Sequence, residues 1–205
     1  MCRKATGCPA TQKVAGHFPL GRRVWQPALS MHRLFYALLL ALPFAAQAAP
    51  RTCLIVGVTD GDTLTARCGA VGAYEQLKVR FDGIDAPERR QPFGSRAKDA
   101  LSNLVFDKEV ELDCAKTDRY GRNVCSVKVA PASAPHGPKT LDAGLAMITL
   151  GMAWWYRSYA HEQTPQARGQ YEFAQAEAKA RRIGLWRDAN PVPPWEWRKS
   201  MRDAH

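Results

Sequence analysis

A short segment with one arginine and two acids contains the residues of this chain best suited to chemistry. The segment, residues 79–88, reads VRFDGIDAPE and carries Arg80, Asp85 and Glu88. The proline after Ala86 fixes its own φ and favours an extended backbone before it, so the chain between the two acids is stiff. A carboxylate and a main-chain carbonyl held in this way suit a divalent cation that prefers oxygen ligands. The alternative to a metal site is an ordinary acidic surface turn, and the segment considered alone favours this alternative.

Two other turns carry charged residues next to predicted strands. The first, residues 60–63, reads DGDT, and Asp62 is available as a ligand because Asp60 already supplies the turn-forming side chain. The second, residues 116–122, reads KTDRYGR and ends in Arg122. Arginine is always charged and binds phosphate in a bidentate manner, so Arg80 and Arg122 are candidates for binding a phosphate group.

The first 48 residues of the 205-residue chain differ in composition from the rest and contain no Asp or Glu. Within them, residues 31–48 combine a basic start, an apolar run of 13 residues and a small-x-small end, as in a secretory signal. We expect cleavage after Ala48, and we assign no function to residues 1–30. A secreted or periplasmic protein without stable membrane association would result. Retention of the apolar run as an uncleaved anchor stays open, although the run is short for a bilayer.

The part after the predicted leader is mildly basic. Residues 49–205 contain 23 Lys and Arg against 19 Asp and Glu, a net charge of +4. This charge is compatible with a phosphate-rich partner but does not require one. A chain of this length can bury a single hydrophobic core.

Four cysteines follow the leader, and their spacing matches the predicted turns. An even number of cysteines in an exported chain favours disulfides. Cys53 and Cys68 lie symmetrically about residues 60–61, and Cys114 and Cys125 about residues 118–121, so each pair would face across its own hairpin. A zinc site is the alternative, but the spacings are long and no histidine lies near them.

The hydrophobic pattern predicts the elements that position these residues. A first hairpin with a two-residue turn at residues 60–61 and a second hairpin over residues 109–130 frame a strand over residues 77–82. In the second hairpin, pairing of the cysteines also opposes Leu112 with Val127. Three helices, the first with Ser95 as its N-cap, and an extended arm rich in Pro and Trp complete the chain. Their predicted ranges are 94–106, 141–150 and 165–183 for the helices and 190–202 for the arm.

The three charged clusters, in this order and spacing, resemble the thermonuclease (staphylococcal-nuclease-like) family. The resemblance covers most of residues 52–186, and residues 151–156 (GMAWWY) and 182–186 (RIGLW) resemble secreted bacterial members. It implies an α+β fold over residues 49–188, namely a small five-stranded OB-fold-type β-barrel with three helices, followed by a C-terminal arm over residues 189–205. It also implies Ca²⁺-dependent hydrolysis of DNA and RNA phosphodiesters, with 3′-phosphate and 5′-hydroxyl products.

The resemblance implies a role for each matching residue. Asp62 and Asp85 would bind the metal through their carboxylates, and Ala86 would do so through its main-chain carbonyl, where the family often has threonine. Glu88 would act as the general base or orient the attacking water. The scissile phosphate would be bound by Arg80 and Arg122. Further candidates for substrate contact, each with an alternative role as a solvated or packing side chain, are Lys116, Arg119, Tyr120 and Tyr156.

Three functions are compatible with these features. The first is an exported, monomeric endonuclease that acts on DNA and, as an open second substrate, RNA, since backbone hydrolysis needs no base readout. The second is an OB-fold nucleic-acid-binding module with weak or no catalysis. The third is an envelope-associated structural protein that uses the hairpins only as scaffold. The presence of two arginines, two aspartates and a glutamate at matching positions favours the enzyme.

Overall fold

The computed structural model describes residues 49–204. The predicted leader, residues 1–48, lies outside the described residues, so the expected cleavage after Ala48 stays a prediction. Between residues 49 and 204, the protein forms no helix that is both long and apolar enough to cross a membrane.

Eight strands, β1 to β8, occur in the described residues. Two of them, β4 and β8, pair with each other in a small separate sheet, and the other six form one sheet. In chain order the strands are Arg51–Val58, Thr63–Cys68, Glu75–Phe81, Ile84–Asp85, Glu109–Thr117, Asn123–Val129, Leu141–Asp142 and Trp154–Trp155.

Five of the strands close into a barrel. Antiparallel pairing links β3 to β2, β2 to β1, β1 to β5 and β5 to β6. A parallel pairing of β3 with β6 then closes the ring, with Arg80 opposite Val124. The prediction of a five-stranded OB-fold-type barrel with helices is therefore confirmed. The short β7 adds to the edge of β6.

The predicted pairing of both hairpins is confirmed. Cys53 lies opposite Cys68 in β1 and β2, and the two are joined in a disulfide with a Cα–Cα distance of 4.4 Å. The Cys114–Cys125 disulfide spans 3.9 Å between Cα atoms, and the same register opposes Leu112 with Val127. The predicted two-residue turn of the first hairpin is wrong. The connection covers residues 59–62, because the Thr59 amide donates to the Thr63 carbonyl and closes a wider loop.

Within residues 49–204, four α-helices pack beside the strands or follow them, α1 to α4 in chain order. Three occupy the regions predicted to be helical, and the fourth lies in the predicted arm. Their bounds are Gly94–Val105, Ala143–Thr149, Pro165–Ala180 and Pro194–Asp203. Short 3₁₀ helices cover Arg157–Glu162 and Gly184–Arg187.

The helix ends differ from the sequence-based prediction in three places. Ser95 is not the N-cap of α1. That position is taken by Phe93, whose φ of 69° turns the chain sharply into the helix without a side-chain cap. The second helix begins later than expected because its first predicted residues pair as β7, and Asp142 then caps α2 by accepting from the Leu145 amide. The third helix is capped by Thr164, in agreement with its predicted start at residue 165. It ends at Ala180, before the predicted end at residue 183.

The extended C-terminal arm is the largest error of the prediction. Pro193 does have an extended backbone, but Pro194 occupies the first turn of α4 and Glu196 follows it there. Proline is favoured at the first helical position, where its missing amide costs no hydrogen bond. An acidic residue in the first turn is favoured by the helix dipole. The same prolines that suggested an arm therefore begin a helix.

One core fills the barrel and extends beneath α1 and α2. Its fully buried side chains alternate along the strands, as in a sheet with one buried face. α1 contributes Ala97, Leu101 and Val105 to this core. A smaller cluster around Trp186 lies against the C-terminal end of α3.

Candidate active site

A groove of about 490 Å³ runs between the barrel wall and the turn before β6. Its lining is rich in cationic and aromatic side chains and includes one buried aspartate. Of the residues singled out from the sequence, the groove is lined by Arg80, Asp85, Lys116, Arg119, Tyr120, Arg122 and Tyr156. The groove therefore brings seven sequence-predicted positions together, drawn from three separate parts of the chain.

Arg80 is positioned by the alternation of β3. Val79 and Phe81 are buried in the barrel, so the side chain between them points to the opposite face. Its guanidinium forms ion pairs with the carboxylates of Asp62 and Asp85, and Nη2 also donates to the Ile84 carbonyl at 3.2 Å. Only 15% of the side chain is exposed. Burial alone would lower the pKa of Arg80, but the two carboxylates raise it above its usual value.

Asp62 is buried and pairs with Arg80, but it does not itself line the groove. The β2–β3 register opposes Thr63 with Arg80 and so brings the neighbouring aspartate to the guanidinium. Asp62 Oδ2 accepts from the Ala86 amide at 2.6 Å, and Oδ1 accepts from the Thr63 hydroxyl at 3.0 Å. Burial raises the pKa of this carboxyl, but the charge of Arg80 and these hydrogen bonds outweigh it and hold the pKa below its usual range.

Asp60 behaves as a turn residue, as expected. Its Oδ1 accepts from the Asp62 amide at 3.1 Å and so shapes the loop between the first two strands. Burial and the neighbouring Asp62 carboxylate raise the pKa of Asp60 to about 7. Gly61 between them is closely packed, since a Cβ there would lie 2.7 Å from the Cβ atoms of both Ala86 and Ala97. Glycine is therefore needed to bring this loop against residues 85–86.

Asp85 is held at the edge of the small second sheet. It pairs with Trp154 between β4 and β8, and the preceding Gly83 has a φ of 65° that turns the chain out of β3. The residue is 1% exposed, yet its carboxylate reaches the groove. Asp85 Oδ1 accepts from Arg80 Nη2 at 2.8 Å.

Glu88 lies in a tight loop between β4 and α1. Its amide donates to the side chain of Gln91 at 3.1 Å, and its carbonyl accepts from the Gln91 amide at 2.8 Å. A Cβ on Gly94 would lie 2.0 Å from that same carbonyl, so the loop closes only because this position has no side chain. The Glu88 carboxylate is partly exposed, with 38% of the side chain accessible.

Arg122 is held by its own turn. Asp118 Oδ1 accepts from the amides of Tyr120 and Arg122 at 2.9 and 3.0 Å, while Oδ2 accepts from Arg122 Nε at 2.8 Å. Asp118 therefore stabilises the turn that carries Arg122. The parallel pairing of β3 with β6 begins at Asn123, the residue after Arg122. Arg122 therefore lies beside β3 and lines the same groove as Arg80.

The four further candidates line the groove in different ways. Lys116 Nζ is paired with Glu162 at 2.6 Å and lies 4.5 Å from the ring centre of Tyr159, so its charge is already engaged. Tyr120 is 67% exposed, and the guanidinium of Arg119 lies 4.9 Å above its ring. Tyr156 is fixed by its amide, which donates to the Gly83 carbonyl at 2.9 Å. Tyr120 and Arg119 are thus both exposed to a ligand, whereas Tyr156 is only partly exposed.

Comparison with known proteins gives the family. The profile of the staphylococcal nuclease homologue family matches residues 78–188. The chain belongs to this family. It is 38% identical over 151 residues to the micrococcal nuclease of Shigella flexneri, which covers 73% of this chain and 82% of that protein. An uncharacterized endonuclease of Haemophilus influenzae (strain ATCC 51907 / DSM 11121 / KW20 / Rd) is 39% identical over 151 residues, or 74% of this chain and 75% of that protein.

A third relative, Protein ParB of Escherichia coli, is 37% identical over 149 residues, which cover 73% of this chain and 80% of that protein. Within the range matched to the staphylococcal nuclease homologue family lie Arg80, Asp85, Glu88 and Arg122. The first hairpin with Asp62, and the whole of α4, lie outside that range.

The residues expected to hold a metal provide hard oxygen donors, which suit Ca²⁺. Arg80 links the two carboxylates, and among residues 49–204 no hydrogen bond is donated to the Ala86 carbonyl. In the same part of the chain no cluster of three or more His, Cys, Asp and Glu side chains could hold a metal ion. A metal at the expected position would therefore depend on Asp62, Asp85, the main chain and solvent.

Two residues of the site were missed in the sequence. Arg198 of α4 reaches back across the fold, and its guanidinium contacts both Asp85 and Glu88. Gln91 is buried and joins the Glu88 loop to the C-terminal segment, because its side-chain amide donates to the Val192 carbonyl at 2.6 Å. The proline and acid at the start of α4 were a usable signal for the helix. No sequence signal indicates where α4 docks.

Proposed function

We propose that the protein is an endonuclease that hydrolyses phosphodiester bonds of nucleic acid in this groove, with Ca²⁺ as its metal. The proposal depends chiefly on one observation: Arg80 and Arg122 enter the same groove as Asp85 in a chain of the staphylococcal nuclease homologue family. The names of the relatives, a nuclease and an endonuclease, support the same chemistry.

In the proposed reaction, the two arginines neutralise the phosphate. A phosphodiester repels an anionic nucleophile, so positive charge must offset its own charge and the charge that develops during attack. Arg80 is immobilised by its carboxylate partners, while Arg122 is held by a turn that leaves 28% of its side chain exposed. Both side chains are therefore oriented before substrate binds.

Glu88 is the proposed general base. Its partial exposure gives it access to water, and its place in the loop after Asp85 keeps it near the proposed ligands without making it one. It would accept a proton from the water that attacks phosphorus in line with the leaving oxygen. Asp62, Asp85 and the Ala86 carbonyl would hold Ca²⁺, which supplies further positive charge to a phosphate oxygen.

The same proposal includes the location and state of the protein. We infer export through the leader with cleavage after Ala48, a catalytic domain over residues 49–188, and a monomer. Two disulfides support an oxidising compartment, since such bonds seldom persist in a reducing cytosol. Export to the periplasm and export to the medium are both compatible with this.

Cleavage of supercoiled plasmid and of RNA, followed on gels with Ca²⁺, Mg²⁺ or EDTA, tests the activity. We expect cleavage with Ca²⁺ and none with EDTA. Binding without cleavage under every condition would favour the nucleic-acid-binding module instead. One observation favours that second candidate: Arg198 contacts both the proposed base and a proposed metal ligand. Cleavage that persists in EDTA would contradict the metal dependence.

A further inference from the structure

The C-terminal helix α4 places a guanidinium between two acids of the proposed site. Arg198 Nη2 donates to Asp85 Oδ2 at 2.8 Å. Arg198 Nη1 donates to Glu88 Oε1 at 2.7 Å and to Asp85 Oδ1 at 3.2 Å. Both oxygens of the proposed ligand and one oxygen of the proposed base are therefore engaged by a single cation from the other end of the domain.

The helix is docked by packing as well as by charge. The ring centre of Trp195 lies 5.7 Å from that of Trp154 and 5.5 Å from that of Tyr156. Pro194 is buried at the start of the helix. The segment leading into α4 is tied to the Glu88 loop through Gln91, whose side chain bonds both the Glu88 amide and the Val192 carbonyl. α4 is thus seated on the same loop that carries the proposed base.

The two arginines that contact Asp85 differ in exposure. The Arg80 side chain is 15% exposed, whereas that of Arg198 is 39% exposed. A guanidinium that is partly solvated loses less on leaving its partners than one that is buried, because water replaces its hydrogen bonds. Arg198 is therefore the exchangeable cation of the pair, and Arg80 the permanent one.

A guanidinium and a divalent metal ion that share a carboxylate oxygen bring two positive charges into close contact. A metal at Asp85 would need oxygens that already accept from Arg198, and the two positive groups would repel each other. The proton-accepting oxygen of Glu88 is likewise partly occupied, since Oε1 accepts from Arg198 Nη1.

We propose that α4 is an internal inhibitor: Arg198 competes with the metal ion for Asp85 and covers Glu88, and metal binding displaces it. The inference depends on the proposed function, because it takes Asp85 as a metal ligand and Glu88 as the base. The competition weakens the apparent affinity for the metal. The apparent dissociation constant equals the intrinsic one divided by the fraction of molecules in which Arg198 has left Asp85.

Calcium titration by isothermal calorimetry, without nucleic acid, tests the competition. R198Q removes the charge and keeps a polar side chain of intermediate length. R202Q is the matched control, because Arg202 lies on the same helix, is exposed, and makes no ion pair with any residue of the part described. We expect R198Q to bind Ca²⁺ about tenfold more tightly than the wild-type protein, and R202Q to remain within about twofold of it.

Hydrogen–deuterium exchange of the wild-type protein gives a second readout that needs no variant. Release of Arg198 removes three hydrogen bonds that hold α4 to the site, so we expect the amides of residues 194–203 to exchange faster in Ca²⁺ than in EDTA. Unchanged or slower exchange would overturn the inference. So would an R198Q variant that binds Ca²⁺ no more tightly than the wild-type protein, which is the result expected if Arg198 only binds phosphate.

The outcomes also separate this inference from the proposed function. If the wild-type protein binds Ca²⁺ and R198Q binds it equally well, the inhibitory role of α4 is wrong and the proposed metal site stands. If neither protein takes up Ca²⁺, the metal site itself is wrong and the inhibitory role fails with it.

Discussion

The two sides of the groove hold their arginines in different ways. On the barrel side, Arg80 is buried against the carboxylate of Asp62, which comes from the first hairpin, and that of Asp85, five residues further along the chain. On the turn side, residues 118–122, Arg122 is held by Asp118, four residues away in the same turn. The barrel side therefore links the proposed chemistry to the stability of the fold, whereas the turn side supplies a charge that the fold does not depend on.

R80Q should have the largest effect, on both function and stability. It leaves two buried carboxylates without their shared partner, which costs about 3–5 kcal/mol of unfolding free energy for a broken buried pair. It should also lower cleavage by about a thousandfold, since one phosphate-neutralising group is lost. Denaturant unfolding and initial cleavage rates measure the two effects. A stable but inactive R80Q would show that the ion pairs contribute little to the fold.

R122Q should lower activity without a matching loss of stability. We expect cleavage to fall by about a hundredfold or more. The unfolding free energy should change by no more than about 1 kcal/mol, because the Arg122–Asp118 pair is local and partly solvated. The same two measurements apply. A loss of stability as large as that of R80Q would remove the distinction between the two sides.

The substitution Y120A tests whether the exposed ring of Tyr120, on the turn side, binds nucleic acid. The ring is 67% exposed, with the guanidinium of Arg119 over it. We expect a base to stack on this ring, so its removal should raise the dissociation constant for single-stranded DNA by about tenfold or less, with a small change in stability. Y120F is the control and should bind like the wild-type protein, since stacking needs only the ring. Fluorescence anisotropy in EDTA measures binding without cleavage. Equal binding by all three proteins would assign Tyr120 to packing.

D82N should have the smallest effect, and one that depends on pH. Burial, with the charges of Asp142 and Asp113, raises the pKa of Asp82 from 3.8 to about 6. Between these values the folded protein binds more protons than the unfolded one, so this group lowers stability as pH rises through the window. D82N removes the titrating carboxyl and with it this decrease in stability. Its melting temperature relative to the wild-type protein should therefore increase from about pH 4 to about pH 7, and a constant difference would contradict the raised pKa.

The hairpins of the barrel were predictable because the residues that indicate them are close in sequence and because two independent patterns require the same pairing. In the second hairpin, the cysteine pair and the opposition of Leu112 to Val127 require the same register, and the structure has it. The convergence of Arg80 and Arg122 on one groove could be expected from the resemblance alone, since it requires the parallel closure of β3 with β6. No local pattern predicts that pairing.

The C-terminal part could not be predicted in the same way. The prolines at 191, 193 and 194 were compatible with an arm, and only Pro194 together with the acid in the first turn indicated a helix. The docking of Arg198 on Asp85 and Glu88 is a contact between residues more than a hundred positions apart. It depends on the packing of Trp195 against Trp154 and Tyr156, for which the sequence contains no periodic signal.

The most direct measurement of the proposed chemistry compares cleavage and binding by E88Q. The substitution keeps the size of the side chain but removes its ability to accept a proton from water. We expect the rate of plasmid cleavage in Ca²⁺ to fall by about 10²–10⁴-fold. The dissociation constant for DNA in EDTA should stay within about threefold of the wild-type value, because Arg80 and Arg122 are unchanged. Cleavage by E88Q at close to the wild-type rate would contradict the assignment of Glu88 as the base and, with it, the proposed reaction.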